Sequence, residues 1–566
     1  MGIFMALSFE GGLSMKQFRK NKRLVYSSFV TALAMMAIIT GCSNSEQTGK
    51  AGEAKSGEGQ ATEQAKRGNI TSSIYDRGTV PPEEGTAENN RWTKWINENG
   101  PTTVKFMAVP RFESQPKFNV MFASGTAPDL IFEYDTNYRN QLYNQKQLRP
   151  VDDLVDKYSV HYKKLLVQYP QLKKLGMKSD GKMYEFGRIN GLGTNHVLFI
   201  RNDWLKKLNL QVPKTTEELY TVAKAFATQD PDGNGKNDTF GIGLSFVSGM
   251  IIDRMFGNVT WLLENGKLVH DWERTQAAFD FRKKLYEEGI VDKDFLTDSK
   301  GEKSKQDWLN GKLGIYGANG GVNFSELTTY ESLKKNNPNA EIIPIALPRS
   351  PFGQFSPVIS NPVQMTTVVN AAAKDPEAVM KLIDFLASPK AAMAVKNGIE
   401  GVHYKMENGC PMIIDADKKR KEVGYANDLA MMASEDLSIF KKCNSIDMVQ
   451  NPTQNQKDFY KLRTLAEEAY LNKERPMPDL THGEHMPVLP ADLQLASTNA
   501  NKAILDIWQK SIISGASYNT EQAFKDAKAA WDKANGGQID EWYAKWYDEN
   551  KDKWFLTKDM YDFIPK

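Results

Sequence analysis

Residues 230 to 241, DPDGNGKNDTFG, set Asp230, Asp232, Asn234 and Asp238 around Gly235. Oxygen-bearing side chains at positions 1, 3, 5 and 9 of a loop, with a glycine at position 6 for the sharp turn, form the ligand pattern of an EF-hand calcium loop. Lys236, at position 7, would contribute its backbone carbonyl and point its side chain away. The pattern breaks at position 12, where an EF-hand supplies a bidentate Glu and this chain has Gly241. FGIGLSF then reads as a strand and not as an exit helix, so no opening of paired helices is implied. Three carboxylates in one small loop repel each other unless a cation sits among them, and a hard divalent ion suits the oxygen ligands. A solvated Asx-rich turn is the plainer alternative; the matched spacing favours calcium, held as a structural ion.

Other reactive patterns are weaker. His482-Gly-Glu-His485 is H-x-x-H and not the H-E-x-x-H of zinc proteases, and prolines at 478, 487 and 490 make it a loop. No G-x-S-x-G, no phosphate-binding G-x-x-x-x-G-K-[ST] and no cysteine nucleophile context occurs. Catalytic residues are therefore expected to be absent.

The amino terminus places the chain. After Met15, the expected start, comes the basic stretch KQFRKNKR, then an apolar run from Leu24 to Ile39, then Ile39-Thr40-Gly41-Cys42. That order is a secretory signal, and the run is short for a retained membrane span. The I-T-G-C ending resembles the lipobox of bacterial lipoproteins, which implies a lipid on Cys42 and a signal peptide over residues 1–42. Residues 43–70 are rich in Ser, Gly, Glu, Gln and Lys and bury almost nothing, as expected of a disordered tether.

The net charge of +2 comes from the basic residues of that signal. The remainder is close to neutral, with no basic stripe to suggest nucleic acid. A length of 566 residues is enough for two lobes or more. Cys410 and Cys443 leave both a disulfide and a pair of free thiols open.

The body reads as α/β. TVKFMAVP (103–110) and HVLFI (196–200) are short apolar runs bounded by turn residues, as buried strands are. Thr215 and Glu218 have capping-box spacing ahead of Leu219, Val222, Ala223 and Phe226. Asp375-Pro376 opens a second helix, with Val379, Leu382, Ile383 and Leu386 on one stripe until Ser388-Pro389. Those stripes are core.

SIYDRGTVPPEEGTAENNRWTKWINE, FASGTAPDLIFEYD, DGKMYEF, FIRNDWLKKLNLQVPKTTEELYTVAKAFATQDPDGNGKNDTFGIG and IEGVHYKMENG together resemble the large solute-binding lipoproteins of ABC-type sugar importers, family 1, the LplA-like branch. The resemblance implies a two-lobed, type II periplasmic-binding-protein-like α/β fold with a hinge of crossing strands. A sugar would close the lobes, and the importer's membrane permease subunits would accept it from a monomeric, non-catalytic receptor anchored on the extracellular face of the membrane. It also implies calcium at the 230–241 loop. By analogy the crossings fall near 187–198 and 356–366, with a third near 425. Lobe 1 would then comprise 71–195 and 363–425, and lobe 2 would comprise 196–362 and 426–566.

A pyranose has apolar C–H faces and a rim of hydroxyls, so its site needs aromatic plates and polar groups. Tyr134, Trp261, Trp308 and Tyr404 are the candidate plates. Asp135, Asn137, Arg188, Asn190, Asn319, Glu400 and His403 are the candidate hydroxyl partners, being at strand ends or in glycine-rich loops. Each has a plainer role, since a tryptophan is more often core and Arg188 suits an ion pair. Basic residues in the cleft would favour an acidic uronate, and their absence a neutral glycan. The alternative function is a secreted, calcium-containing glycoside hydrolase or lyase, which would need two carboxyls about 5 to 9 Å apart.

Overall fold

The computed structural model describes residues 67–564 apart from 191–192, 195, 320–323, 357–359, 436–442 and 444–447. Cys42 and most of the expected tether lie outside the described residues. In chain order the strands are β1 (Asn69–Asp76), β2 (Thr103–Pro110), β3 (Leu130–Phe132), β4 (Glu185–Ile189), β5 (His196–Arg201), β6 (Phe240–Ile242), β7 (Trp261–Glu264), β8 (Lys267–His270), β9 (Leu313–Asn319), β10 (Ile342–Pro344), β11 (Val363–Val369), β12 (Tyr404–Glu407) and β13 (Cys410–Ile413).

Two sheets organise the body. The first runs β2-β1-β3-β11-β4 and the second β10-β5-β9-β6. In the first, β1 pairs parallel with β2 and β3, while β11 pairs antiparallel with β3 and β4. In the second, β5 is antiparallel to β9 and β10, and β6 is parallel to β9. The chain leaves the first sheet at Ile189, enters the second at His196, and returns between Pro344 and Val363.

Each sheet is covered by helices whose apolar stripes the sequence already carries. Thr215 accepts from the Glu218 N–H at 3.2 Å, and Glu218 accepts in return, so the helix Thr216–Thr228 starts with a closed capping box. Leu219, Val222, Ala223 and Phe226 are buried with Trp204, Trp308 and Ile315 in the core of the second sheet. Asp375 caps the helix Pro376–Leu386, and Val379, Leu382, Ile383 and Leu386 pack with Ile70, Trp92 and Phe132 over the first sheet. Each fully buried aliphatic side chain of this kind contributes about 1.5–3 kcal/mol.

The carboxyl-terminal part is shared out. Ala426 and Leu429 to Ala433 pack in the core of the first sheet, whereas Phe459, Leu462, Ala466 and Tyr470 pack in that of the second. The change of core therefore falls between Ala433 and Phe459. The helices Ala491–Ile513, Thr520–Lys533 and Gly536–Asn550 build a further cluster around Trp531 and Ile539, against Leu268 of β8. Phe555, Met560 and Tyr561 then pack on Ile189, Val363 and Met365 of the first sheet.

Cys410 and Cys443 form a disulfide, with Cα atoms 5.6 Å apart across 33 residues of sequence. That resolves the choice left open by the sequence and suits an exported protein. Closing a loop of that length restricts the unfolded chain, so Cys443→Ser is expected to lower the unfolding free energy by about 2–4 kcal/mol. Urea unfolding curves with an unchanged midpoint would contradict this.

Candidate functional site

The register of the first sheet gathers one set of strand ends. β1, β2 and β3 finish at the edge where β11 begins and β4 ends, because Val363 stands opposite Ile189. Tyr75, Arg77, Arg111, Tyr134, Arg188, Asn190, Asn361 and Gln364 all belong to this edge, the position at which α/β sheets usually hold ligands.

Tyr75 and Tyr134 stack with ring centroids 5.8 Å apart and planes inclined by 14°. The Arg111 guanidinium lies over both rings, at 4.9 and 5.3 Å. Arg77 forms a fork to Asp428 at 2.6 and 2.9 Å. Arg188 donates to the Ala430 carbonyl at 2.7 Å and to Gln364 at 3.0 Å. Burial pushes both tyrosine hydroxyls upward; at Tyr75 the neighbouring Glu133 adds to it, and at Tyr134 the arginines partly oppose it. Both phenols are accordingly neutral donors at ordinary pH.

A buried ion network holds the edge from beneath. Arg139 donates to Glu185 at 2.9 Å and to the Glu133 carbonyl at 2.7 Å, and Lys178 also pairs with Glu185. Burial raises the Glu185 carboxyl, but Arg139 and Lys178 outweigh it and hold the group below its ordinary range. The H-x-x-H segment is a loop, and it seals the start of β11. Glu484 accepts from Asn361 at 2.8 Å and from Gln364 at 3.2 Å, and His485 Nε2 donates to the Val363 carbonyl at 2.8 Å.

The second sheet presents a matching edge, since β5 begins and β6 and β9 end beside the crossing. There Phe246, at the start of the helix Phe246–Met255, has φ of 43° and is 39% exposed. A left-handed conformation at a bulky residue costs energy and is found where a site needs a fixed side chain. Phe246 borders a cavity of about 160 Å³ with Ser248, Lys305, Tyr316 and Glu326, and burial pushes the Glu326 carboxyl up to about 7.

The candidates named from sequence divide. Tyr134, Arg188 and Asn190 lie at the first edge. Asp135 is also there, but its carboxylate caps the helix Thr136–Asn144 by accepting from Tyr138 N–H at 2.7 Å, and Asn137 is exposed on that helix's first turn. Trp308 is only 2% exposed and stacks on Tyr316 inside the second core, so it is not a plate. His403 is fully buried, accepting from Ile399 N–H at 2.9 Å and facing Glu422 at 3.1 Å. Tyr404 is buried at the start of β12, and Glu400 is exposed in the loop leading to it; neither is at the edge. Asn319 ends β9, with its side chain outside the described residues.

Trp261 lines the larger cavity, about 520 Å³, with His270, Trp272, Trp531 and Asp540 between β8 and the helix Gly536–Asn550. The crossings do not meet there, so the strand-end edges are the better candidate site. Tyr75, Arg77, Arg111, Gln364 and Phe246 were not named from sequence. Their signal was position, immediately at the ends of short strands such as SSIYDRG and MAVPRF.

The residues expected to hold calcium share one turn. Asp230, at φ of 47°, accepts from the N–H groups of Gly233, Asn234 and Gly235 at 3.0 to 3.1 Å. The Asn234 amide reaches Asp232 at 2.8 Å and Asp238 at 3.0 Å, and its oxygen accepts from Lys236 N–H. Burial and then the Asp230 carboxylate push the Asp232 carboxyl up. Among the described residues no group of three or more His, Cys, Asp or Glu side chains is placed to hold a metal; a cation here would draw on the Asn234 oxygen and the Lys236 carbonyl as well.

Residues 83–393 match the family described as bacterial extracellular solute-binding protein. The chain belongs to that family. It is 26% identical over 470 residues to Lipoprotein LipO of Bacillus subtilis, covering 79% of this chain and 87% of LipO. It is 27% identical over 393 residues to the polygalacturonan/rhamnogalacturonan-binding protein YtcQ of the same organism, covering 66% and 73%. Its fold is similar to the S. pneumoniae ABC-transporter substrate-binding protein FusA in complex with kestose, with a TM-score of 0.63 at 20% identity over 85% of this chain and 99% of that one. The solved structures that share this fold are two-lobed solute-binding proteins. They are binding proteins and not enzymes.

His485 offers a test of the seal. Burial lowers its pKa from 6.5 to about 3. The unfolded chain therefore binds a proton that the folded one refuses. The resulting stability is complete above about pH 6.5 and is lost as pH falls toward 3. His485→Gln keeps an N–H for the Val363 carbonyl and should flatten the stability profile by about one proton across that window. Urea unfolding at stepped pH with identical slopes for the two proteins would contradict it.

Proposed function

We propose that this chain is an extracellular receptor that binds an oligosaccharide between the two strand-end edges and delivers it to the permease subunits of an ABC importer. The observation that carries this reading is the convergence of the half-buried Tyr134 ring, backed by the buried Tyr75 ring, with guanidinium and amide donors on the crossing between the sheets. Aromatic faces suit sugar C–H surfaces, and fixed donors suit the hydroxyl rim. The name of YtcQ, a glycan-binding relative over most of its length, supports the ligand class. A hydrolase or lyase is disfavoured because the family is one of binding proteins.

Anchoring rests on the signal and lipobox pattern ending at Cys42, and the lipoprotein LipO supports it. Among the described residues no helix is long and apolar enough to cross a membrane. The structural calcium ion would be held by Asp230, Asp232, Asn234, Asp238 and the Lys236 carbonyl. Its support is the spacing and the crowding of carboxylates that a cation would relieve.

A thermal-shift screen against oligosaccharides should find one that raises the apparent stability by mass action. Tyr134→Ala should weaken its binding by about 1–3 kcal/mol. Incubation of the bound sugar with the protein should release no new reducing ends; steady turnover would overturn the receptor reading.

For the loop, chelator should lower the melting temperature of the wild-type protein. Asp232→Ala should melt below the untreated wild type and ignore chelator. A wild-type protein insensitive to chelator, with no metal in its native mass spectrum, would remove the calcium proposal.

A further inference from the structure

GLSFVS (243–248) follows β6 and KGEKSK (300–305) opens the helix Glu302–Leu309, and between them they set two buried serines on the cavity of about 160 Å³ at the second edge. Ser248 is 1% exposed, and its hydroxyl accepts from the Gly317 N–H at 2.9 Å. Ser304 is 9% exposed, and among the described residues its Oγ has no hydrogen-bond partner. The Ser304 backbone is nonetheless fixed, because its N–H donates to Asp298 at 3.0 Å. A Cβ on Gly243 would lie 2.9 Å from both serine hydroxyls, so the glycine leaves the two oxygens flanking one point. A buried hydroxyl costs free energy until something pairs with it, and a sugar hydroxyl, which donates and accepts as water does, can pair with both.

The charges around the cavity are of both signs. Lys300, Glu302, Lys305 and Glu326 border it, and so does the first turn of the helix Phe246–Met255, whose N-cap Ser245 makes no side-chain cap. An anion would meet two carboxyl groups, and a cation would meet two lysines and the positive end of a helix. Burial pushes the Glu326 carboxyl up to about 7, so near neutral pH it serves as donor or acceptor. These groups suit a neutral polyol. Pockets for drug-sized ligands start at about 300 Å³, so this one has room for a single sugar residue. Phe246 supplies an apolar wall, held at φ of 43° with Gly301 packed so close that a Cβ there would come within 3.3 Å of the Phe246 Cβ.

We propose that this cavity is a subsite for one neutral sugar residue of the oligosaccharide, with the Ser248 and Ser304 hydroxyls and the Glu326 carboxyl receiving its hydroxyl rim and Phe246 covering its C–H face. This inference rests on the receptor reading above and adds the sugar chemistry that the second edge accepts. Ser304 and Phe246 are the specificity-determining residues. Neither contributes to the stability of the empty protein, since one is an unpaired hydroxyl and the other a bulky residue in a left-handed conformation.

Isothermal titration with kestose, maltotriose, mannotriose, galactotriose, xylotriose and trigalacturonate tests it. At least one neutral trimer should bind, with an affinity that added salt leaves unchanged. Ser304→Ala should bind that trimer about 3- to 10-fold more weakly, the loss of one hydrogen bond, yet melt no lower than the wild type. Phe246→Asn should weaken binding by about as much and also melt no lower, because Asn adopts the left-handed conformation more readily than Phe. Wild-type affinity in both variants, a Ser304→Ala protein that melts lower, or binding of trigalacturonate alone would overturn the subsite while the receptor reading stood. Failure of all six trimers to bind would overturn both.

Discussion

Ile189 and Val363 stand opposite each other at the end of the first sheet, and both connections to the second sheet leave from beside them. This antiparallel pair sets where β4 stops and β11 starts, so it also sets which side chains meet the crossing. A shift of one residue would turn every alternating side chain to the other face. The pair is secured on several sides. His485 donates to the Val363 carbonyl, the Glu435 N–H donates to that of Ile189, and Phe555, Met560 and Tyr561 pack against both residues. The carboxyl-terminal segment, remote in sequence, thus clamps the connection on which the site depends.

From that constraint the chemistry of the edge follows. Parallel β1, β2 and β3 deliver Tyr75, Arg111 and Tyr134 to one place, and β4 with β11 adds Arg188 and Gln364. The side chains are then fixed by partners that are themselves fixed: Gln364 by Glu484, and Arg77 by Asp428. A ligand entering such a site pays little to order it, which is the advantage of preorganised donors.

Much of the fold was legible because its signals are local. The capping box at Thr215 and the stripe from Leu219 to Phe226 require only neighbours in sequence, and so do the strand at 103–110 and the breaker at Ser388-Pro389. The two changes of sheet, between Ile189 and His196 and between Pro344 and Val363, fall between strands. The candidate edge was legible only where a strand end coincided with a suggestive residue, as at Tyr134 and Arg188. Arg111 and Tyr75 were missed because strand order, which brings them together, is a tertiary property. Trp308 and His403 carry suitable chemistry, but one completes the second core and the other a buried hydrogen-bond pair. Pairing of Cys410 with Cys443 likewise depends on a Cα separation that spacing does not reveal.

The central claim is that a ligand bridges the two edges and draws the lobes together, through differential affinity for the closed state. Small-angle X-ray scattering of the protein with and without a tightly bound oligosaccharide measures this most directly. The account predicts a smaller radius of gyration on binding, and a Tyr134→Ala protein that needs about 5- to 150-fold more sugar to reach the same compaction. Saturating, tight binding with an unchanged radius of gyration would contradict it.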